Sequence, residues 1–259
     1  MAPVLSVSGL TKTYDGKNIV LKGLDMSVAK KELVVVVGPS GAGKSTLVRC
    51  INRLVEPTSG EILFDGVSVR SAKRKQLRKI RAKIGMIFQH YNLVNRTDVK
   101  KNVLHGRLGE TPFFKSMLGI YTKKEHEEAE QLLKTVGLSE HMHKRASTLS
   151  GGQMQRVGIC RALMQHPKLL LADEPIASLD PESATVVMEH IRNVTVKHSL
   201  ACIVNLHQVD FAKKYATRII GLKDGKIVFD GIPNDLTDEI ISYIYKSEEK
   251  SNASYTAKN

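Results

Sequence analysis

LVVVVGPSGAGKST, residues 33–46, decides how the rest of the chain is read. A short apolar run, Leu33 to Val37, ends in a glycine-rich turn and then opens a helix, which is the order strand, loop, helix. The turn has the spacing G-x-x-x-x-G-K-S from Gly38 to Ser45, followed by Thr46. Gly38, Gly41 and Gly43 let the backbone curl so that successive N–H groups converge on an anion. Pro39, Ser40 and Ala42 complete the cradle. Lys44 supplies a point charge for β- and γ-phosphates, and the Ser45 hydroxyl can ligate Mg²⁺. The helix that begins here points the positive end of its dipole at the same phosphates.

The chain has 259 residues, enough to bury one full core with a subdomain. No stretch approaches the roughly 20 apolar residues that cross a bilayer. The opening MAPVLSVSGL lacks a charged segment followed by a long apolar one, so no secretory signal is expected and a cytoplasmic protein is. Cys50, Cys160 and Cys202 are far apart among apolar neighbours and read as core thiols. The formal net charge of +13 suggests an anionic partner. Much of it lies in Arg70–Lys83, with eight Lys/Arg and no acid. Leu77, Ile80 and Ile84 recur there at helical spacing, which predicts a surface helix whose basic face is solvated or turned to lipid headgroups. The run has no aromatic residue for base stacking, so no nucleic acid is expected as partner.

Strands are predicted at 4–8, 19–21 and 24–28. Tyr14, in the turn TKTYDG, suits stacking on an adenine ring or a place on a strand edge. The helix after Lys44 is expected to carry Leu47, Val48, Ile51 and Leu54 on one face and to stop at Glu56-Pro57. IGMIFQ, 84–89, reads as a buried strand ending in Gln89. Residues 98–146 turn helical in spacing, with Gly137 as a stop signal after Ala129, Leu132, Leu133 and Val136. PFFKSMLGIY, 112–121, is either subdomain core or a docking surface. In TLSGGQMQR, 148–156, Ser150, Gly151, Gly152 and Gln153 open a helix and form a second anion-binding nest. KLLLADEP, 168–175, is an apolar strand ending in Asp173, placed to serve Mg²⁺, and Glu174, placed to hold a water. Asp180 before Pro181 reads as a helix cap. LACIVNLH, 200–207, is a strand ending in His207, which suits a γ-phosphate contact. A hairpin at 218–231, a helix at 235–245 and a disordered polar tail from Lys246 complete the chain.

These motifs, in this order, resemble the nucleotide-binding subunit of ATP-binding-cassette (ABC) transporters, over about residues 4–240. GPSGAGKST is similar to the Walker A motif, LSGGQ at 149–153 to the family signature, and LLLADE at 169–174 to Walker B. Tyr14, Gln89, SLD at 178–180 and His207 fall where that family has its A-, Q-, D- and H-loops. The resemblance implies an α/β P-loop NTPase (RecA-like) core with an N-terminal antiparallel β subdomain and a helical signature-motif subdomain. It implies one ATPase domain over 1–246, the helical part inserted at about 98–165, and a tail at 247–259. It further implies ATP and Mg²⁺ as cofactors, with Ser45, Gln89 and Asp173 toward the metal and Glu174, His207, Lys44 and Gln89 as the catalytic set. Two copies would join head-to-tail, so that each ATP lies between Lys44 of one chain and Ser150-Gly151-Gly152 of the other. HGRLGETPFF at 105–114, EPIASLDPES at 174–183 and VNLHQVDFAKKYATRIIGLKDGKIVFDG at 204–231 resemble the phosphonate-import subgroup. The implied partners are membrane permease subunits and, indirectly, an extracytoplasmic solute-binding protein. The implied place is the cytoplasmic face of the inner membrane. The rival readings are an importer ATPase for another small solute, such as a polar amino acid or methionine, a non-transport ABC ATPase acting on nucleic acid, and a non-catalytic nucleotide-binding module. The second predicts a long coiled coil or two cassettes in one chain, and Glu174 and His207 argue against the third.

Overall fold

The structure is a computed structural model that describes residues 2–111 and 119–246. β1 (Leu5–Thr13) and β2 (Ile19–Val28) pair antiparallel around a turn closed by Asp15, whose carboxylate accepts the N–H groups of Lys17 and Asn18 at 2.9 and 2.7 Å. The two strands expected at 19–21 and 24–28 are one strand. The pairing skips Gly23, which sits at φ 71, and this bulge breaks the alternation that the pattern reading relied on.

β3 (Leu33–Val37) is buried throughout and leads into α1 (Lys44–Ile51). Leu47, Val48 and Ile51 of α1 are fully buried, each worth roughly 1.5–3 kcal/mol. The expected continuation to Leu54 does not occur: Arg53 turns left-handed at φ 55, and Leu54 is 51% exposed. Arg53 donates to the carbonyls of Val69 and Ala72, which draws the chain away from the helix axis. β4 (Ser59–Phe64) and β5 (Val67–Ser68) close a four-stranded sheet of order β2-β1-β4-β5. α2 (Arg74–Arg81) is the expected basic helix, with Ile80 buried beneath it.

β6 (Ile84–Ile87) and β7 (Leu169–Asp173) join β8 (Ala201–Asn205), β9 (Arg218–Lys223) and β10 (Lys226–Gly231) in a six-stranded sheet of order β10-β9-β3-β8-β7-β6. All neighbours in it are parallel except β9 and β10. β6 and β8 stop at Ile87 and Asn205, so Gln89 and His207 stand in loops two residues beyond the strands that were expected to end on them.

Alternate residues of this sheet face two cores. Val34, Val36, Leu169, Leu171 and Ile203 pack with α1 against the four-stranded sheet. Val35, Val37, Leu170, Ala172 and Val204 face a layer of helices: α5 (Gly151–Leu163), α6 (Pro181–Lys197), α7 (Val209–Tyr215) and α8 (Asp238–Tyr245). α8 starts later than expected because Pro233–Asp235 forms a 3₁₀ turn and Thr237 then caps the helix. α3 (Val99–Leu104) and α4 (Lys123–Thr135) share a third core with α5, built on Val103, Ala129, Leu133, Val157 and Cys160. Gly137, at φ 70, ends α4 as its spacing predicts.

All three cysteines are buried, and burial pushes their thiols up to about 11 for Cys50 and about 12 for Cys160 and Cys202, in keeping with core thiols. Among the described residues no helix is long and apolar enough to cross a membrane. The reading of 112–121 as core or dock falls largely on residues 112–118, outside the described residues, as does the tail from 247.

Candidate active site

The phosphate loop is held rigidly from behind. Gly38 has φ 151, and a Cβ there would run into the Leu222 carbonyl of the neighbouring β9. The next strand's backbone thus admits only glycine at the start of the turn. Lys44 is 4% exposed, and its Nζ donates to the carbonyls of Gly38 at 2.8 Å and Pro39 at 3.1 Å. Two of three ammonium protons therefore brace the loop, and one remains for an anion. Burial pulls the Lys44 pKa below its ordinary value, and the charges of Glu174 and Asp173 oppose this.

Asp173 closes β7 at 2% exposure and stands beside Asn205, its register partner on β8. Asn205 Nδ2 donates to Asp173 Oδ1 at 3.1 Å, and Arg49 Nη2 of α1 pairs with Oδ2 at 3.1 Å. The other amide atom of Asn205, Oδ1, is buried without a partner. Glu174 follows in the left-handed region at φ 52, a conformation that costs about 1–3 kcal/mol and breaks its side chain out of line with the strand. Its Oε1 accepts a hydrogen bond from His207 Nε2 at 2.7 Å.

A cavity of about 460 Å³ gathers these groups. Ser40, Gly41, Gly43, Lys44, Ser45 and Thr46 form one wall, Glu174 and His207 face them, and Val20 closes a side. Tyr14 flanks it: its hydroxyl lies 3.3 Å from Thr46 Oγ1, its ring is 62% exposed, and Lys12 Nζ sits 4.8 Å from the ring centroid. One ring face is thus partly covered, and the other is free to stack. A larger cleft of about 770 Å³ lies between α2 and residues 105–109, lined by Arg74, Arg78, Arg81 and His105. None of the strand-end groups reaches it, so the smaller cavity is the one equipped for chemistry.

The residues fit Mg²⁺. The Ser45 hydroxyl and the Asp173 carboxylate are hard oxygen donors, and the orphaned Asn205 Oδ1 beside Asp173 can hold a metal-bound water. When bound, the ion would neutralise phosphate charge. The chain's own groups do the rest. Lys44 and the loop amides could hold phosphate oxygens, Glu174 could orient a water and take its proton, and the one N–H of the His207 ring, now on Glu174, could turn to a γ-oxygen instead.

The signature segment is built differently. Ser150 caps α5: its Oγ accepts the Gln153 N–H at 3.3 Å, while Gln153 Oε1 accepts the Ser150 N–H at 2.9 Å. The first-turn N–H groups of Gly151 and Gly152 have no intrahelical acceptor, so a ligand can take them. A Cβ at Gly151 would lie 2.7 Å from the Tyr91 hydroxyl, so a larger residue there would have to push that ring tip aside. None of Ser150, Gly151, Gly152 or Gln153 lines the cavity of its own chain. Nor does Gln89, half-buried in its loop: the strand that was expected to deliver it ends at Ile87. Asp180 caps α6 as expected, accepting the Ser183 N–H at 2.9 Å with Pro181 at the first helical position. Sequence reasoning passed over Arg49 and Asn205. Asn205 carried a signal, a polar residue in an apolar strand, but the strand was read through to His207.

The family model described as ABC transporter matches residues 21–177. The chain is 52% identical over 238 residues to a phosphonates import ATP-binding protein PhnC of Treponema denticola, covering 92% of this chain and 93% of the relative. It is 52% identical over 247 residues to PhnC 2 of Oceanobacillus iheyensis, covering 95% and 97%. Among solved structures it is similar to the ATP-binding cassette MJ0796 in a dimeric post-hydrolysis state bound to ADP and Pi, at TM-score 0.78 and 31% identity over 88% of this chain and 98% of that one. It is also similar to the ADP conformation of the cassette MJ1267, at TM-score 0.82 and 26% identity over 95% and 100%. A phosphate loop, a strand-end acid pair and a histidine around one cavity, with a signature helix standing apart from it, thus coincide with matches over nearly the whole chain, and the chain belongs to the ABC transporter family as an ATP-binding cassette.

Proposed function

We propose that this chain hydrolyses ATP to power import of phosphonates or related phosphorus oxyanions, such as phosphite and phosphate esters, through a membrane permease. The observation that carries the ATPase part is the meeting of Lys44, Glu174 and His207 around one cavity. The solute class rests on the relatives named for phosphonate import. In this reading Glu174 is the general base, His207 the γ-phosphate contact, and Ser45 and Asp173 the metal side, with Tyr14 stacked on adenine. Gln89 approaches the metal and attacking water from its loop only as the site closes. Ser150–Gln153 completes the site of a second copy bound head-to-tail, a pairing supported by the dimeric form of MJ0796. The domain spans 1–246, with the helical unit at about 98–165. It works peripherally at the cytoplasmic face of the membrane. The permease contacts this chain directly, and the solute-binding protein acts through the permease. The solute itself never touches this chain.

The test is growth. A strain lacking its own importer, given this chain with its permease and binding protein, is expected to grow on a phosphonate or phosphite as sole phosphorus source. Growth restored only on an unrelated solute, such as methionine, would move the assignment to another importer class.

A further inference from the structure

His207 stands outside the sheet. The last ladder bond before it runs from the Leu206 N–H to the Val36 carbonyl. The next anchor comes from the far end of the chain: Tyr245 Oη donates to the His207 carbonyl at 3.1 Å. Tyr245 is half-buried and is the last residue of α8. Burial pushes this phenol up.

The placement of Tyr245 is set by packing. Ile244 is fully buried, and a Cβ on Gly221 of β9 would lie 2.6 Å from its Cδ1. Gly221 is the register partner of Val37, which directly precedes Gly38. Lys223 holds the same helical turn from outside, donating to the Tyr243 carbonyl at 2.8 Å with its Nζ 4.4 Å from the Tyr243 ring centroid. The end of α8 is thus clamped onto the strand pair that carries the phosphate loop, and its hydroxyl reaches across to the histidine loop.

We propose that Tyr245 is a positioning residue for ATP hydrolysis. Its hydroxyl fixes the backbone of His207, so that the imidazole stays poised between Glu174 and the γ-phosphate. The inference rests on the role given above to His207. Tyr245 touches no reacting atom and acts through that loop. Because binding of the nucleotide depends on the phosphate loop and turnover on the histidine loop, losing the hydroxyl alone separates the two.

The experiment compares full-length chains assembled with their permease. Tyr245→Phe is expected to lower kcat roughly tenfold, as a small misplacement of a reacting group does, with KM for ATP and Tm close to wild type. Tyr215→Phe is the control: that tyrosine is buried with its hydroxyl unpartnered, so losing the hydroxyl should leave turnover unchanged. In a His207→Ala background Tyr245→Phe should add no further loss. Wild-type kcat in Tyr245→Phe beside an inactive His207→Ala would overturn the inference and leave the reading of His207 standing. A parallel fall in kcat, Tm and ATP affinity would make the tyrosine merely structural and also overturn it. Full turnover in His207→Ala would remove both.

Discussion

The phosphate loop and the signature turn are both glycine-rich helix starts, yet the chain finishes them to different degrees. The loop at 38–46 is enclosed: its lysine is buried, its first glycine is pressed on β9, and Glu174 and His207 face it across a cavity. The turn at 150–153 uses its polar side chains to accept each other's backbone N–H groups in the capping box and lines no part of that cavity. Both can bind an anion, but only the first brings charge, acid and histidine to it. A helix start without these groups is of use where another surface supplies them, and a second copy of the same chain has that surface.

Breaking the bare half should therefore be as damaging as breaking the equipped half. Ser150→Arg places a bulky cation on the exposed cap and is expected to cost about 10³–10⁵ in the ATPase rate, the range for a group supplied in trans to a transferring phosphoryl. Steady-state turnover at saturating ATP reads this directly. Retention of the full rate would mean that the signature turn is only structural. On the equipped side, Glu174→Gln removes the base and keeps the shape. Turnover is expected to fall by about 10²–10⁴, with ATP binding intact and a dimer trapped that gel filtration detects. Rapid hydrolysis by that variant would relieve Glu174 of its role.

Tyr14→Ala tests the rim. Loss of one base–aromatic contact should weaken ATP binding by about 1–3 kcal/mol, read by titration, with kcat at saturation little changed. Asp180→Ala should have the smallest effect, about 1 kcal/mol of stability from the lost cap, seen as a modest fall in Tm. A large loss of turnover in that variant at unchanged Tm would instead give the turn before α6 a part in the chemistry.

The same contrast explains what could be read without coordinates. Lys44, Asp173, Glu174 and the helix start at Ser150 lie in short local motifs, and spacing alone was enough to single them out. The partners of Asp173 depend on which strands are neighbours. Asn205 reaches it because β7 and β8 are adjacent in register, and Arg49 because α1 lies beneath them. Periodicity carries no information on either. The bulge at Gly23 and the left-handed Arg53 misled the pattern for a local reason: each is one residue that departs from the repeat around it. His207 was found, but the tyrosine that anchors it lies 38 residues further along the chain and could only be seen once α8 was packed.

If the site is shared between copies, two chains disabled in different halves should rescue each other when mixed. Lys44→Ala disables the equipped half, and Ser150→Arg the bare half. Each alone should be nearly inactive. Mixed, they can form a dimer in which one site draws an intact loop from one chain and an intact signature turn from the other. A shared site gives the mixture a turnover that neither parent shows. A mixture as inactive as its parents, with mixed dimers demonstrably present, would contradict it.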